Sequence, residues 1–492
     1  RSHPLSHPHP SVLPPPPGMP LPPCCAAGDS NFLWAQSVND LGASHIEPAL
    51  KGILESAITQ NSVELHLTNI AATPHLARVG TDDTTVQPFW ARRVARLLQG
   101  VGGGAASSLT ELRGKQHWWW DTKRDNDGGA LNDDAMRAFF NAARGATGAQ
   151  PPLQLPAARA APPDYFILRA FNPAAFSGRA GWRLLQGTHA GRLVELRVNA
   201  SAQTGLSVET RNVRRFSAPP QSLAGGAVFI DGSPLPDEVV VAAFAALRGG
   251  SALELCNPSG GHATPSHRAW RACGADTWKL AERGPSTLGP IRQVSESPFA
   301  IVTGGSPTDA SLEQELLQLG VYLANLFLLT SDASPAVVAA EQLAALADPW
   351  GVEERNLILI GGAHQNALTA RLAEFWREIG HAAAWASDGG ALSIGGCDYS
   401  GEGVGGLILG PRPGGGLALV VLGDQAGMRD AISLADPTIP PMARSPFSNT
   451  LPDYVVTGPR FQAEGFGGLL AAGFTDHAWS VGPGAFTYSA RC

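Results

Sequence analysis

An α/β architecture follows from three features of the 492-residue sequence. Apolar runs of strand character alternate with amphipathic helical segments before residue 145 and again after residue 285. Short, turn-punctuated strands fill the interval between them. Pro- and Gly-rich passages mark the seams. The chain therefore divides into a Pro/His-rich segment (1–40), an α/β unit (41–145), a linker (146–163), a β-rich domain (164–284) and a second α/β region (285–492).

The opening segment has too little apolar surface to order itself, and His3, His7 and His9 read as part of a solvated tail and not as metal ligands. EPALKGILESAI, from Glu47, has helical spacing, and VELHLTNI, from Val63, alternates as a strand. HLARVG, from His75, reads as a mostly buried strand. The polar loop TDDTTVQP follows it, and then the amphipathic helix FWARRVARLL. A glycine-rich break leads to a short segment around Leu109–Leu112 and the loop GKQHWWWDT. NDDAMRAFFNAA closes the unit as a helix, with Asn132 or Asp133 as its N-cap.

From Tyr165, the runs YFILRAFNP, GWRLLQ, GRLVELRVNA, GLSVETRNVRRF and GAVFIDG predict a small β-rich domain. In the last region PFAIVTGG reads as a buried strand and LEQELLQLGVYLANLFLL as a helix running into another strand. NLILIGG, GGLILGP, LALVVLG and YVVTG, set among helical patterns, predict a parallel sheet covered on both faces.

Composition excludes several function classes. With 35 basic and 42 acidic residues the formal net charge is −7, and no long run of either sign stands out. Neither nucleic acid nor an anionic membrane surface is an expected partner. No stretch reaches the roughly 18–20 apolar residues of a membrane span. Cys24, Cys25, Cys256, Cys273, Cys397 and Cys492 contain no CxxC pair and make no disulfide scaffold, which argues against structural zinc and leaves the redox compartment open. Asn199-Ala200-Ser201 is the single acceptable glycosylation sequon and alone does not imply secretion. The chain opens on Arg1 with no signal-peptide core, and reads as a fragment whose true N-terminus is missing. No cofactor is expected; Asp125 and Asp127 lack the spacing and closing Glu of a calcium loop.

Asp83 and His117 carry the chemistry. Each stands in a loop leaving a strand, where side chains of an α/β sheet collect. A carboxylate on one loop can orient an imidazole on the next and stabilise its cation, leaving the second ring nitrogen as the base. Their 34-residue separation accommodates one helix and one strand. GTDDTTVQPFWARRVARLL followed by LRGKQHWWWDT resembles the end of the catalytic domain of prolyl-oligopeptidase-type serine peptidases. There, a G-x-x-D-x-x-V loop carries the triad aspartate, and the triad histidine follows the last strand.

The resemblance covers about residues 45–145 and implies a partial α/β-hydrolase sheet, a peptide or ester substrate, Asp83 as orienting acid (Asp82 as the alternate) and His117 as general base. The downstream chain is similar to C-terminal extensions of large members of that family. Trp118 and Trp119, with Trp120, supply either a substrate-binding wall or packing beside the histidine loop.

One part is missing. The nucleophile elbow needs Ser on a tight strand-to-helix turn between small residues, and no Gly-x-Ser-x-Gly occurs in the 492 residues. Ser30 in GDSNF and Ser44 in GASHI are poor substitutes. The expectation is a serine-type hydrolase that is inactive as this chain; the alternative is a non-catalytic scaffold derived from one. ILIGGAHQN lacks GxGxxG and the P-loop lysine and reads as an ordinary β–α turn.

Overall fold

A computed structural model describes residues 46–59, 62–71, 73–103, 107–117, 133–143, 164–175, 178–201, 205–257, 270–273, 278, 282–306, 308–346, 348–350, 355–385, 391–435 and 451–492. Helices and strands alternate in a mixed α/β fold. The chain forms two compact units, a smaller one over Ile70–Pro162 and a larger one over Ser30–Asn69 and Pro163–Cys492.

The boundary expected at residue 41 thus moves. Helix α1 (Pro48–Thr59) belongs to the larger unit, where Leu50, Ile53, Leu54 and Ala57 enter a hydrophobic core. VELHLTNI, expected as a strand, is helix α2 (Val63–Ile70). Its apolar residues suit either period, since Val63, Leu67 and Ile70 also share one helical face. Tertiary bonds decide for the helix: the Asn69 amide donates to the Arg169 carbonyl (2.6 Å) and accepts from the Arg169 N–H (2.7 Å).

In the smaller unit, strands β1 (His75–Gly80) and β2 (Ser107–Leu112) pair in parallel, from His75 opposite Ser107 to Gly80 opposite Leu112. Helix α3 (Pro88–Leu98) makes the crossover, with proline at its first position, where a missing N–H costs nothing. It buries Val94, Ala95 and Leu98. The Arg92 guanidinium donates to both oxygens of Glu111, at 2.7 and 2.6 Å, and ties α3 to β2. Helix α4 (Asp134–Ala143) buries Met136 and Phe139. Asp133 accepts from the Met136 N–H (2.9 Å) and pairs with Arg78 of β1 (2.5 Å). Of the two N-cap candidates, Asp133 therefore serves; Asn132 lies outside the described residues.

In the larger unit a five-stranded sheet joins β3 (Tyr165–Ala170), β5 (Val194–Ser201), β6 (Gly205–Arg211), β8 (Val228–Ile230) and β9 (Ser233–Pro234). A four-stranded sheet joins β4 (Arg183–Gly187), β7 (Val213–Ala218), β10 (Leu253–Cys256) and β11 (Arg271–Ala272). These sheets share one core with helix α5 (Asp237–Gly249), built on Leu168, Leu196, Val208, Phe216 and Val239.

The second α/β region holds a small antiparallel sheet of β15 (Ala383–Trp385), β16 (Leu392–Ile394) and β17 (Cys397–Tyr399) and a larger, eight-stranded sheet. The order of the larger sheet is β13 (Ala336–Ala339), β12 (Phe299–Thr303), β14 (Asn356–Ile360), β19 (Leu417–Gly423), β18 (Gly405–Pro411), β20 (Tyr454–Thr457), β21 (Leu469–Gly473) and β22 (Thr487–Ser489). Contrary to the all-parallel expectation, the sheet is mixed. β13, β12, β14 and β19 are parallel, while β18, β20, β21 and β22 pair antiparallel in succession. The reason is local: Gly414, Gly415 and Gly416 all have positive φ and reverse the chain between β18 and β19 in a tight turn.

The run expected to pass from helix into strand is one 22-residue helix, α6 (Ala310–Ser331), stopped by Asp332 in the left-handed conformation. Side chains alternate through the sheet. Ile301, Ile358 and Leu419 face one core, shared with α1 and α6; Val302, Leu359 and Val420 face the other, shared with helix α7 (Ala367–Ile379). Four cysteines that look scattered in sequence are joined as Cys256–Cys273 and Cys397–Cys492.

Candidate acid–base site of the smaller unit

Parallel pairing of β1 and β2 sends their C-terminal loops out at the same edge of the sheet. Asp83 lies three residues beyond β1 and His117 five beyond β2. Their side chains meet, with His117 Nδ1 2.9 Å from Asp83 Oδ2. Asp83 is almost fully covered and His117 is 18% exposed. A carboxylate only accepts, so this bond requires the proton on Nδ1.

The other carboxylate oxygen is engaged as well. Asp83 Oδ1 accepts from the backbone N–H groups of Thr85 (2.9 Å) and Val86 (2.8 Å). These bonds fold the turn ahead of α3 and fix the carboxylate, so that Oδ2 faces the imidazole. Closing the turn and orienting the histidine are therefore one arrangement of this aspartate. Asp82 takes no such place. It is exposed, its Oδ1 accepts from the Thr81 hydroxyl (2.7 Å), and its N–H donates to the Lys115 carbonyl.

The two loops are stitched along their length. Thr81 N–H donates to the Leu112 carbonyl (3.0 Å), Asp82 N–H to the Lys115 carbonyl (2.9 Å), and Gly114 N–H to the Thr81 hydroxyl (2.9 Å). Gly80 makes this approach possible, because a Cβ there would stand 2.7 Å from the Lys115 carbonyl carbon. Gly80 is the glycine of the G-x-x-D-x-x-V loop, and the part of Thr81 in joining the two loops has no sequence signal beyond a hydroxyl residue after it. At the side of β1, the Arg78–Asp133 pair anchors α4. Partial burial opposes ionisation of Asp133, yet the Met136 amide and Arg78 hold its carboxyl below the ordinary range.

Trp118, Trp119 and Trp120 lie outside the described residues, as do Ser30, Ser44, Asp125, Asp127 and the three N-terminal histidines. Among the described residues no group of three or more His, Cys, Asp or Glu side chains is placed to hold a metal ion. No described helix is long and apolar enough to cross a membrane.

The corresponding strand ends of the large sheet are occupied differently. Gly305 N–H donates to the Gln365 carbonyl (2.8 Å), and Gly362 N–H to Gln365 Oε1 (2.9 Å). Asn366 caps α7 through the Leu368 and Thr369 amides, while its own amide donates to the Val302 and Ile360 carbonyls. ILIGGAHQN is thus a strand-to-helix turn whose polar groups close on one another. Comparison with known proteins returns no matching family model, no matching curated protein and no matching solved structure.

Proposed function

We propose that Asp83 and His117 are the orienting acid and the general base of a serine-type hydrolase of the prolyl-oligopeptidase kind, acting on a peptide or an ester. The observation that supports this reading is the 2.9 Å bond between His117 Nδ1 and Asp83 Oδ2 at the ends of adjacent parallel strands. A serine hydroxyl attacking an acyl carbon would pass its proton to His117 Nε2. Asp83 would hold the resulting imidazolium, and the proton would then go to the leaving amine or alkoxide. Trp118 and Trp119 are proposed as contacts for the substrate.

The attacking hydroxyl is the absent part. With no Gly-x-Ser-x-Gly in the 492 residues, we propose that this chain alone is inert and that turnover needs a serine from polypeptide beyond it. The same absence favours a second reading, a hydrolase-derived scaffold that binds without catalysing.

A fluorophosphonate probe separates the two. On the first reading the intact protein from its source is labelled at an elbow serine, and Asp83→Ala lowers the labelling rate by roughly 10⁴-fold. The isolated 492-residue chain stays unlabelled. No labelling of the intact protein supports the scaffold, and labelling of Ser30 or Ser44 in the isolated chain overturns the claim of inertness.

A further inference from the structure

We propose that Asn199 is an N-glycosylation site, and that the first sugar of its glycan lies against the ring of Tyr165. Asn199-Ala200-Ser201 is the one Asn-X-Ser/Thr triplet of the sequence with an acceptable middle residue; Asn257-Pro258-Ser259 is excluded by its proline. Asn199 is on β5, where Leu196 and Val198 are buried in the core of the β-rich region. Residues two apart on a strand share a face, so Asn199 points with Arg197 to the opposite, solvent side. Its side chain is exposed there, as a bulky modification requires.

Two further observations bear on the site. Tyr165 is the direct cross-strand partner of Asn199 and is 54% exposed, a large aromatic with much of its surface in water. Directly paired residues have their Cβ atoms about 5 Å apart, which is within reach of the first pyranose ring on the amide. The weakly positive C–H face of a sugar complements the negative face of an aromatic ring. Arg197, two residues before Asn199 on β5, pairs instead with Glu209 on the neighbouring strand β6.

The second observation is the pairing of four cysteines. Cys256 and Cys273 have Cα atoms 5.4 Å apart, and Cys397 and Cys492 6.1 Å, within the span a disulfide bridges without main-chain movement. Such cross-links form and persist in an oxidising compartment, the setting in which N-glycans are attached. In the transfer, Asn199 Nδ2 forms a bond to the anomeric carbon of a polyprenyl-diphosphate-linked oligosaccharide. The anomeric C–O bond breaks, the diphosphate leaves with its electron pair, and one amide proton passes to a base of the transferring enzyme.

The test uses the protein isolated from its source, followed by variants secreted from a eukaryotic host. Peptide mapping after glycosidase release in heavy-oxygen water should find residue 199 converted to labelled aspartate, with both disulfides closed under alkylation. Ser201→Ala, which leaves Asn199 in place, should lose the one-glycan mass shift. Enzymatic deglycosylation should lower Tm by roughly 2 °C; Tyr165→Ala should abolish that difference and Tyr165→Phe should keep it. An unmodified Asn199 peptide from the native protein, or four alkylatable thiols, overturns the site. A deglycosylation effect that survives in Tyr165→Ala overturns the stacking.

Discussion

The smaller unit and the eight-stranded sheet of the larger one both contain a parallel strand–helix–strand passage, yet they treat the loops at their strand ends in opposite ways. In the large sheet the turn after β14 spends its polar groups on itself: Gln365 and Asn366 bond to the glycine amides, the α7 N-terminus and neighbouring strand carbonyls. In the smaller unit the turn after β1 closes through one oxygen of Asp83 and keeps the second for a side chain on the next loop. The two-stranded sheet carries the hydrogen-bonded pair proposed for proton transfer. Burial and chemistry are distributed separately, and a polar atom left over after a turn is satisfied marks where chemistry can occur.

The largest expected effect tests the large sheet as the stability reservoir. Arg283 and Asp453 are both fully buried there, ion-paired to each other, with the guanidinium 4.1 Å from the Trp479 ring and the carboxylate accepting from Thr475 N–H. Asp453→Ala leaves that cation buried and unpaired and should destabilise the larger unit by about 3–5 kcal/mol in denaturant melts. NMR signals of His117 should not move; movement would show that the two units do not respond independently.

Next comes acid. Despite burial that opposes ionisation, bonds from Arg214, the Arg215 charge and Gln186 hold Glu282 at a pKa of about 2, against an ordinary 4.5. The folded value is depressed, so the stability is present above pH 4.5 and is lost as pH falls toward 2. The loss is roughly 3 kcal/mol, and Glu282→Gln should remove that slope from the acid-unfolding curve. His381, buried against Trp376 and lowered to about 3 by burial, acts in the same direction and begins to cost stability as pH drops below 6.5.

A smaller effect sharpens the comparison from the other side. Gly80→Ala forces the β1 loop away from the Lys115 carbonyl and should destabilise the smaller unit by about 2 kcal/mol, while leaving the larger unit's transition in place. The measurement is a two-transition calorimetric scan. Smallest of all in stability is Asp82→Ala. The residue is exposed, and the change should shift melting by under about 0.5 kcal/mol.

Much of this was legible in the sequence, and the reasons are particular. HLARVG and FWARRVARLL are long or periodic enough to name their type, and a polar loop after a buried strand points to a strand end. VELHLTNI was not legible, because eight residues with apolar side chains at Val63, Leu65, Leu67 and Ile70 fit both periods and the decision lay with Asn69 and a carbonyl a hundred residues away. The antiparallel half of the large sheet hid behind buried runs that look alike in either direction; only Gly414–Gly416 signalled the reversal. The pairing of Cys397 with Cys492, 95 residues apart, has no local signature at all. Asp83 and His117 could be named because both follow strands and Asp83 sits in a G-x-x-D-x-x-V loop, but no sequence pattern shows that the Thr85 and Val86 amides hold Asp83.

Imidazole NMR observes directly the proton expected between His117 Nδ1 and Asp83 Oδ2. With nitrogen-labelled histidine, His117 should show the Nδ1–H tautomer and a strongly downfield, slowly exchanging proton that persists in Asp82→Ala and vanishes in Asp83→Ala. A His117 ring whose tautomer and proton are indifferent to the loss of the Asp83 carboxylate would contradict the pairing and, with it, the acid–base reading.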